Sequence, residues 1–138
     1  TGGGLGRLAK NLKKFNPDFV LIELGGNYAL RGYSINLIKS NLEKMIALAK
    51  QNKSKVLLMQ IRIPPNYGQK YTHAFEKIYV DLAQTEEVYL LPFMLEEIGI
   101  NSELMQPDGI HPNKKAQPLI ATEMKKNIDK FLLFNQSN

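Results

Sequence analysis

The sequence predicts an α/β fold in which a parallel sheet carries helices on both faces. Three observations predict it. Three short apolar runs, at 19–24, 55–61 and 88–93, read as strands, the first with the pattern of burial on both faces and the second also buried. The segments around them repeat apolar residues at three- and four-residue spacing, the period of a helix. The two kinds of segment alternate, and such alternation builds right-handed crossovers between parallel strands. At 138 residues the chain suits a single domain, 1–138, because chains of roughly 100–150 residues bury one core. No repeat, low-complexity tract or linker divides it.

Leu5, Leu8, Leu12 and Phe15 mark a short amphipathic helix that stops before Pro17, which disfavours helical geometry in the residue ahead of it. The glycine-rich stretch Thr1 to Gly6 reads as a flexible lead-in to this helix. It resembles a phosphate loop, but no strand precedes it and no Gly-Lys-Ser/Thr follows. Phe19 to Leu24 is the first strand, ended by Gly25-Gly26. Ile38, Leu42, Met45, Ile46 and Ala49 form the stripe of a second helix with Ser34 as its N-cap. Lys55 to Ile61 is the second strand, and Pro64 to Gly68 a loop. Tyr71, Phe75, Ile78 and Leu82 mark a third helix, and Val88 to Phe93 a third strand with Pro92 at its end. Residues 94–100 fit a helix and residues 101–112 a polar loop. Ile120, Met124, Ile128 and Phe131 mark a closing helix with Pro118 in its first turn.

Composition narrows the chemistry. The absence of cysteine excludes disulfides, thiolate metal sites and a cysteine nucleophile. Two histidines without a spaced acidic cluster lend a metal site no support, and no cofactor is implied. The net charge of +5 comes from lysines such as Lys13, Lys14, Lys114, Lys115, Lys125 and Lys126, which read as solvated faces. No basic stripe interleaved with aromatics points to nucleic acid. No run approaches the roughly 18 apolar residues of a transmembrane span. Residue 1 is Thr, and the natural start and any leader are expected upstream of it.

Ligands of open parallel sheets bind where loops leave the carboxyl ends of strands, which directs attention to the loops after Leu24, after Ile61 and between Phe93 and Pro112. Two motifs lie in them. In Asp108-Gly109-Ile110-His111-Pro112 the carboxylate can turn back on the imidazole, set its tautomer and stabilise the imidazolium formed on proton uptake. A capped loop with a surface histidine has the same spelling. In Gly25-Gly26-Asn27 the glycines permit a sharp turn and the amide offers donors to an oxyanion. A purely conformational Gly-Asn turn would look the same. Arg31, Arg62 and Tyr67 stand in loops at the same end, able to touch a polar substrate group or simply to pack and anchor those loops. His73 reads as solvent-facing.

Taken together, Gly-x-Asn after a buried strand and Asp-x-x-His near the end resemble two conserved blocks of the SGNH (GDSL-type) hydrolases. The similarity extends through Glu23-Leu24-Gly25-Gly26-Asn27, Leu30-Arg31-Gly32, Met59-Gln60-Ile61-Arg62, Pro65-Asn66-Tyr67-Gly68 and Leu91-Pro92-Phe93 to Asp108–Asn113, and is with the thioesterase, arylesterase and lysophospholipase branch of the family. The resemblance implies a three-layer αβα, flavodoxin-like parallel sheet whose first two strands are not in this chain, which would be the C-terminal part of the domain. It implies hydrolysis of esters and thioesters, with acyl-CoA, lysophospholipid or aryl ester as substrate, His111 as general base and acid, Asp108 as its orienting carboxylate, Asn27 as oxyanion donor, and Gly26, Arg31 and Tyr67 against the substrate. It also implies a periplasmic or secreted location. The family's Gly-Asp-Ser nucleophile and its second oxyanion glycine are not visible: Ser34, Ser40, Ser54, Ser102 and Ser137 end no buried strand. By the resemblance Thr1 lies just beyond that glycine. Tyr28 departs from the pattern, which has Asp after the Asn. The expectation is therefore a serine hydrolase whose serine lies outside this chain, inactive alone and exposing the edge of strand 19–24 to self-association. A non-catalytic SGNH-like remnant or interaction module is the alternative.

Overall fold

A computed structural model describes residues 1–86 and 88–136, with side chains described to residue 133. The chain forms two compact units, Thr1–Pro92 and Phe93–Asn138. In order the first contains α1 (Gly2–Phe15), β1 (Phe19–Ile22), α2 (Gly26–Ala29), α3 (Ile35–Gln51), β2 (Lys55–Met59), a 3-10 turn (Pro65–Tyr67), α4 (Gln69–Thr85) and β3 (Tyr89–Leu91). The three strands form a parallel sheet in the order β1-β2-β3, with Leu21 opposite Leu57 and Leu58 opposite Leu90. The α/β architecture with a parallel sheet flanked by helices is the one the alternation of patterns predicts.

The expected apolar stripe of α3 is its buried face: Ile38, Leu42, Met45, Ile46 and Ala49 are all enclosed. Ser34 is its N-cap, and its hydroxyl accepts the Leu37 N–H at 3.2 Å. Ile22, Val56 and Leu58, which share one face of the sheet, pack with this stripe and with Phe75, Ile78, Tyr79 and Leu82 of α4 into one core. α1 lies against α3, with Leu5 and Leu8 resting on that core.

Four expectations need correction in this unit. The glycines at the start are part of α1, because Gly2 and Gly4 let the helix approach closely; a Cβ on Gly2 would stand 2.6 Å from the Tyr28 hydroxyl, and one on Gly4 would collide with Leu24. β1 ends at Ile22 and is buried on one face, since Phe19 and Leu21 point away from the core and remain 43% and 42% exposed. It forms an edge of the described sheet and pairs with β2. β2 stops at Met59 and β3 covers Tyr89–Leu91, because pairing ends where the neighbouring strand does. The short helix α2 is absent from the sequence reading, being too brief to show a period.

The second unit opens with turns over 94–100 where a helix is expected, leaving Met94 and Ile98 buried without a helical ladder. A 3-10 turn (Ser102–Leu104), an antiparallel bridge between Met105 and Pro112, and a second 3-10 turn (Lys114–Ala116) order the polar loop. The closing helix α5 (Gln117–Gln136) has Pro118 in its first turn, where no helical partner for an N–H is lost. Phe131 is its buried anchor. The six lysines read as solvated are exposed, and among the described residues no helix is long and apolar enough to cross a membrane.

Candidate active site

The loop before α5 brings Asp108 and His111 together. One carboxylate oxygen of Asp108, Oδ1, accepts the backbone N–H groups of Ile110 at 2.9 Å and His111 at 3.0 Å; the other, Oδ2, lies 2.7 Å from His111 Nδ1. Gly109 takes φ +66°, a left-handed value that costs glycine little, and this folds the carboxylate back over the following amides. The backbone N–H of His111 holds Asp108 well below the usual carboxylate range, to about 2, helped by the imidazole and by the Ile110 N–H. A carboxylate at Nδ1 places the neutral imidazole's proton there and leaves the Nε2 lone pair as the base.

The loop's own polar groups hold the pair in place. Gln106 N–H donates to the His111 carbonyl at 2.7 Å, and the Gln106 side-chain amide donates to the Pro112 carbonyl at 3.1 Å. Asn113 Nδ2 donates to the Glu103 and Met105 carbonyls at 2.7 and 3.1 Å, while its Oδ1 accepts Lys115 N–H at 2.8 Å. Gln106 is a supporting residue that sequence reasoning missed, because its partners are backbone atoms across a bridge that no periodicity announces. The Asp-x-x-His spelling was sufficient to find the pair itself.

In the first unit, Gly26 and Asn27 stand just past the carboxyl end of β1. Gly25 has φ +135°, and its carbonyl accepts the N–H groups of Tyr28 and Ala29 at 3.0 Å each, starting α2. Asn27 is exposed in this first turn, and its side chain makes no hydrogen bond to the described residues. Tyr28, which stands where the family pattern has Asp, stacks on Tyr33 with ring centroids 4.4 Å apart. Arg31 lies in the exposed turn after α2, and Tyr67 is half-exposed in the 3-10 turn after β2. Both lie in segments that follow strands of the sheet, Arg31 after β1 and Tyr67 after β2.

Two of the serines have structural work in the fold. Ser34 caps α3, Ser40 lies within α3, and buried Ser54 precedes β2 at the opposite end of the sheet, donating to the Pro17 carbonyl at 2.6 Å. Ser102 is in the 3-10 turn of the second unit, and Ser137 lies outside the described residues.

A family model described as GDSL-like lipase/acylhydrolase matches residues 1–118. An arylesterase of Vibrio mimicus is 48% identical over 132 residues, which are 96% of this chain and 66% of the relative. A protein named thioesterase 1/protease 1/lysophospholipase L1 of Escherichia coli (strain K12) is 46% identical over 125 residues, 91% of this chain and 60% of that protein. The crystal structure of the psychrotrophic esterase EstA from a Pseudoalteromonas species, inhibited by monoethylphosphonate, superposes with a TM-score of 0.92 at 40% identity, covering 95% of this chain and 72% of that one. The chain thus spans between three-fifths and two-thirds of the length of these curated relatives.

Proposed function

Because the chain belongs to the GDSL-like lipase/acylhydrolase family, we propose that it carries the base, the orienting carboxylate and one oxyanion donor of a serine hydrolase of carboxylic esters and thioesters. The observation that carries this reading is the 2.7 Å contact between His111 Nδ1 and an Asp108 carboxylate kept ionised by backbone N–H groups. His111 Nε2 takes the proton from a serine hydroxyl as its oxygen attacks the substrate carbonyl carbon, and Asp108 stabilises the imidazolium. Asn27 Nδ2 donates to the resulting oxyanion. As the tetrahedral species collapses, the thiol or alcohol leaves with the proton from Nε2. Water then attacks the acyl-serine through the same base and releases the acid. A thiolate needs less help from protonation than an alkoxide, so one site serves both substrate types.

The serine comes from sequence beyond these 138 residues, a reading supported by the structural duties of Ser34 and Ser54 in the fold. Both compact units belong to one hydrolase domain, a reading supported by the family match running through them. Thioesters, with acyl-CoA as the expected form, lysophospholipids and aryl esters are the substrate classes; the words thioesterase, lysophospholipase and arylesterase in the relatives' names support the three classes, which compete for one acyl-serine. Gly26 offers its backbone to the substrate beside Asn27, while Arg31 and Tyr67 contact the substrate's polar part. The working location is the periplasm or the cell exterior. In the whole protein, His111→Ala lowers kcat for p-nitrophenyl butyrate by at least about 10³-fold with the thermal transition retained. A loss below tenfold in a folded variant removes His111 from the mechanism and favours the non-catalytic reading.

A further inference from the structure

α4 carries two tyrosines eight residues apart, and their hydroxyls bracket the turn that bears Asn27. Tyr79, fully enclosed in the core, donates its hydroxyl to the Leu24 carbonyl at 3.1 Å, at the start of the turn. Its ring meets Phe75 edge-on at 5.4 Å, which fixes the phenol's direction. The same hydroxyl occupies the space a side chain on Gly25 would need. Tyr71 reaches the other end, donating to the Tyr33 carbonyl at 2.6 Å, with the Ala29 carbonyl 3.4 Å away. Burial pushes both phenols' pKa values up, so each remains a donor at neutral pH.

Resting on the oxyanion role proposed for Asn27, we infer that Tyr71 and Tyr79 are positioning residues, a clamp from α4 that sets where Asn27 presents its amide. Each hydroxyl holds a carbonyl of the turn, and between those carbonyls the chain makes one turn of helix with a positive-φ glycine on either side of it, Gly25 and Gly32. A rotation of the Leu24–Gly25 peptide would move the start of α2 and the Asn27 side chain with it. Among the described residues the Asn27 side chain has no hydrogen-bond partner that would restore its aim. An oxyanion donor works only when preorganised at about 2.7–3.1 Å from the developing charge. The clamp should therefore influence the transition state far more than ground-state binding.

The test is a double-mutant cycle in the whole protein, with p-nitrophenyl butyrate as substrate and melting temperature recorded for every variant. Asn27→Ala should lower kcat by about 10²-fold. Tyr79→Phe, which keeps the ring and its contact with Phe75, should lower kcat by about tenfold with KM within twofold of the parent. In the Asn27→Ala background the same change should lower kcat by less than twofold, because it acts through the amide already removed. Tyr71→Phe, on the half-exposed end of the clamp, should show the same coupling with a smaller loss, and provides the second test should Tyr79→Phe not fold. A kcat loss equal in both backgrounds, or no loss, overturns the clamp while leaving the oxyanion role intact. An Asn27→Ala variant with parental kcat refutes the oxyanion role and the clamp together.

Discussion

Asp108→Asn isolates the histidine's tautomer with little else disturbed. The Asn carbonyl oxygen can keep both bonds that Oδ1 accepts, from Ile110 N–H and His111 N–H, so the loop retains its frame. Its amide nitrogen then replaces Oδ2, 2.7 Å from Nδ1. Two N–H groups cannot face each other at that distance, so the imidazole moves its proton to Nε2 and offers the Nδ1 lone pair to the amide. The nitrogen that must accept the serine proton already holds one. In a buried triad this inversion costs about 10⁴-fold in kcat. Here the His111 and Asp108 side chains are 58% and 44% exposed, so water can compete for both ring nitrogens. The expected loss is accordingly about 10²–10³-fold. The assay is kcat for p-nitrophenyl butyrate in the whole protein, with long-range ¹⁵N–¹H correlations locating the His111 proton and thermal unfolding confirming the fold. A variant whose proton has moved to Nε2 yet whose kcat stays within tenfold of the parent refutes the general-base role. A proton that remains on Nδ1 refutes the claim that Asp108 sets the tautomer.

Three further expectations follow from the same geometry. The Asp108 pKa is depressed from 3.8 to about 2, so its contribution to stability is present above the unfolded value and lost as pH falls through about 4 to 2; NMR of the carboxyl carbon should show a midpoint near 2, and one at 3.8 or higher contradicts the hydrogen-bonded carboxylate. Gly25→Ala forces a side chain into φ +135° and against the Tyr79 hydroxyl, and should cost about 2–4 kcal/mol by combining backbone strain with overpacking; a melting temperature within two degrees of the parent shows that the turn relaxes freely. The 138-residue chain by itself should lack hydrolase activity and self-associate through the β1 edge, where Phe19 and Leu21 are exposed; light scattering together with an esterase assay decides this, and an active monomer refutes both parts.

Local interactions were legible before any coordinates. The α3 stripe from Ile38 to Ala49 and its Ser34 cap are set within a few turns of one helix, so composition and spacing alone fixed them. The Asp108–His111 pair spans three residues, and a single left-handed glycine closes it; the spelling Asp-Gly-Ile-His contains nearly all of its physics. The strand 19–24 was legible as a strand but not in its exposure. Alternation assigns Val20 and Ile22 to one face and Phe19 and Leu21 to the other, and whether the second face is covered depends on neighbours distant in sequence. Residues 94–100 show the converse: their apolar content suited a helix, yet burial of Met94 and Ile98 is satisfied by turns. Tertiary structure alone decided the setting of Asn27. Tyr71 reads in the sequence as part of a helix's apolar stripe and Tyr79 gives no signal there; their hydroxyls gained partners only when α4 brought them to carbonyls 38 and 55 positions away, respectively. Periodicity reports which face of an element turns inward, because that depends on a repeat of a few residues. It does not report which buried hydroxyl meets which distant carbonyl, because that meeting exists only after the elements have packed.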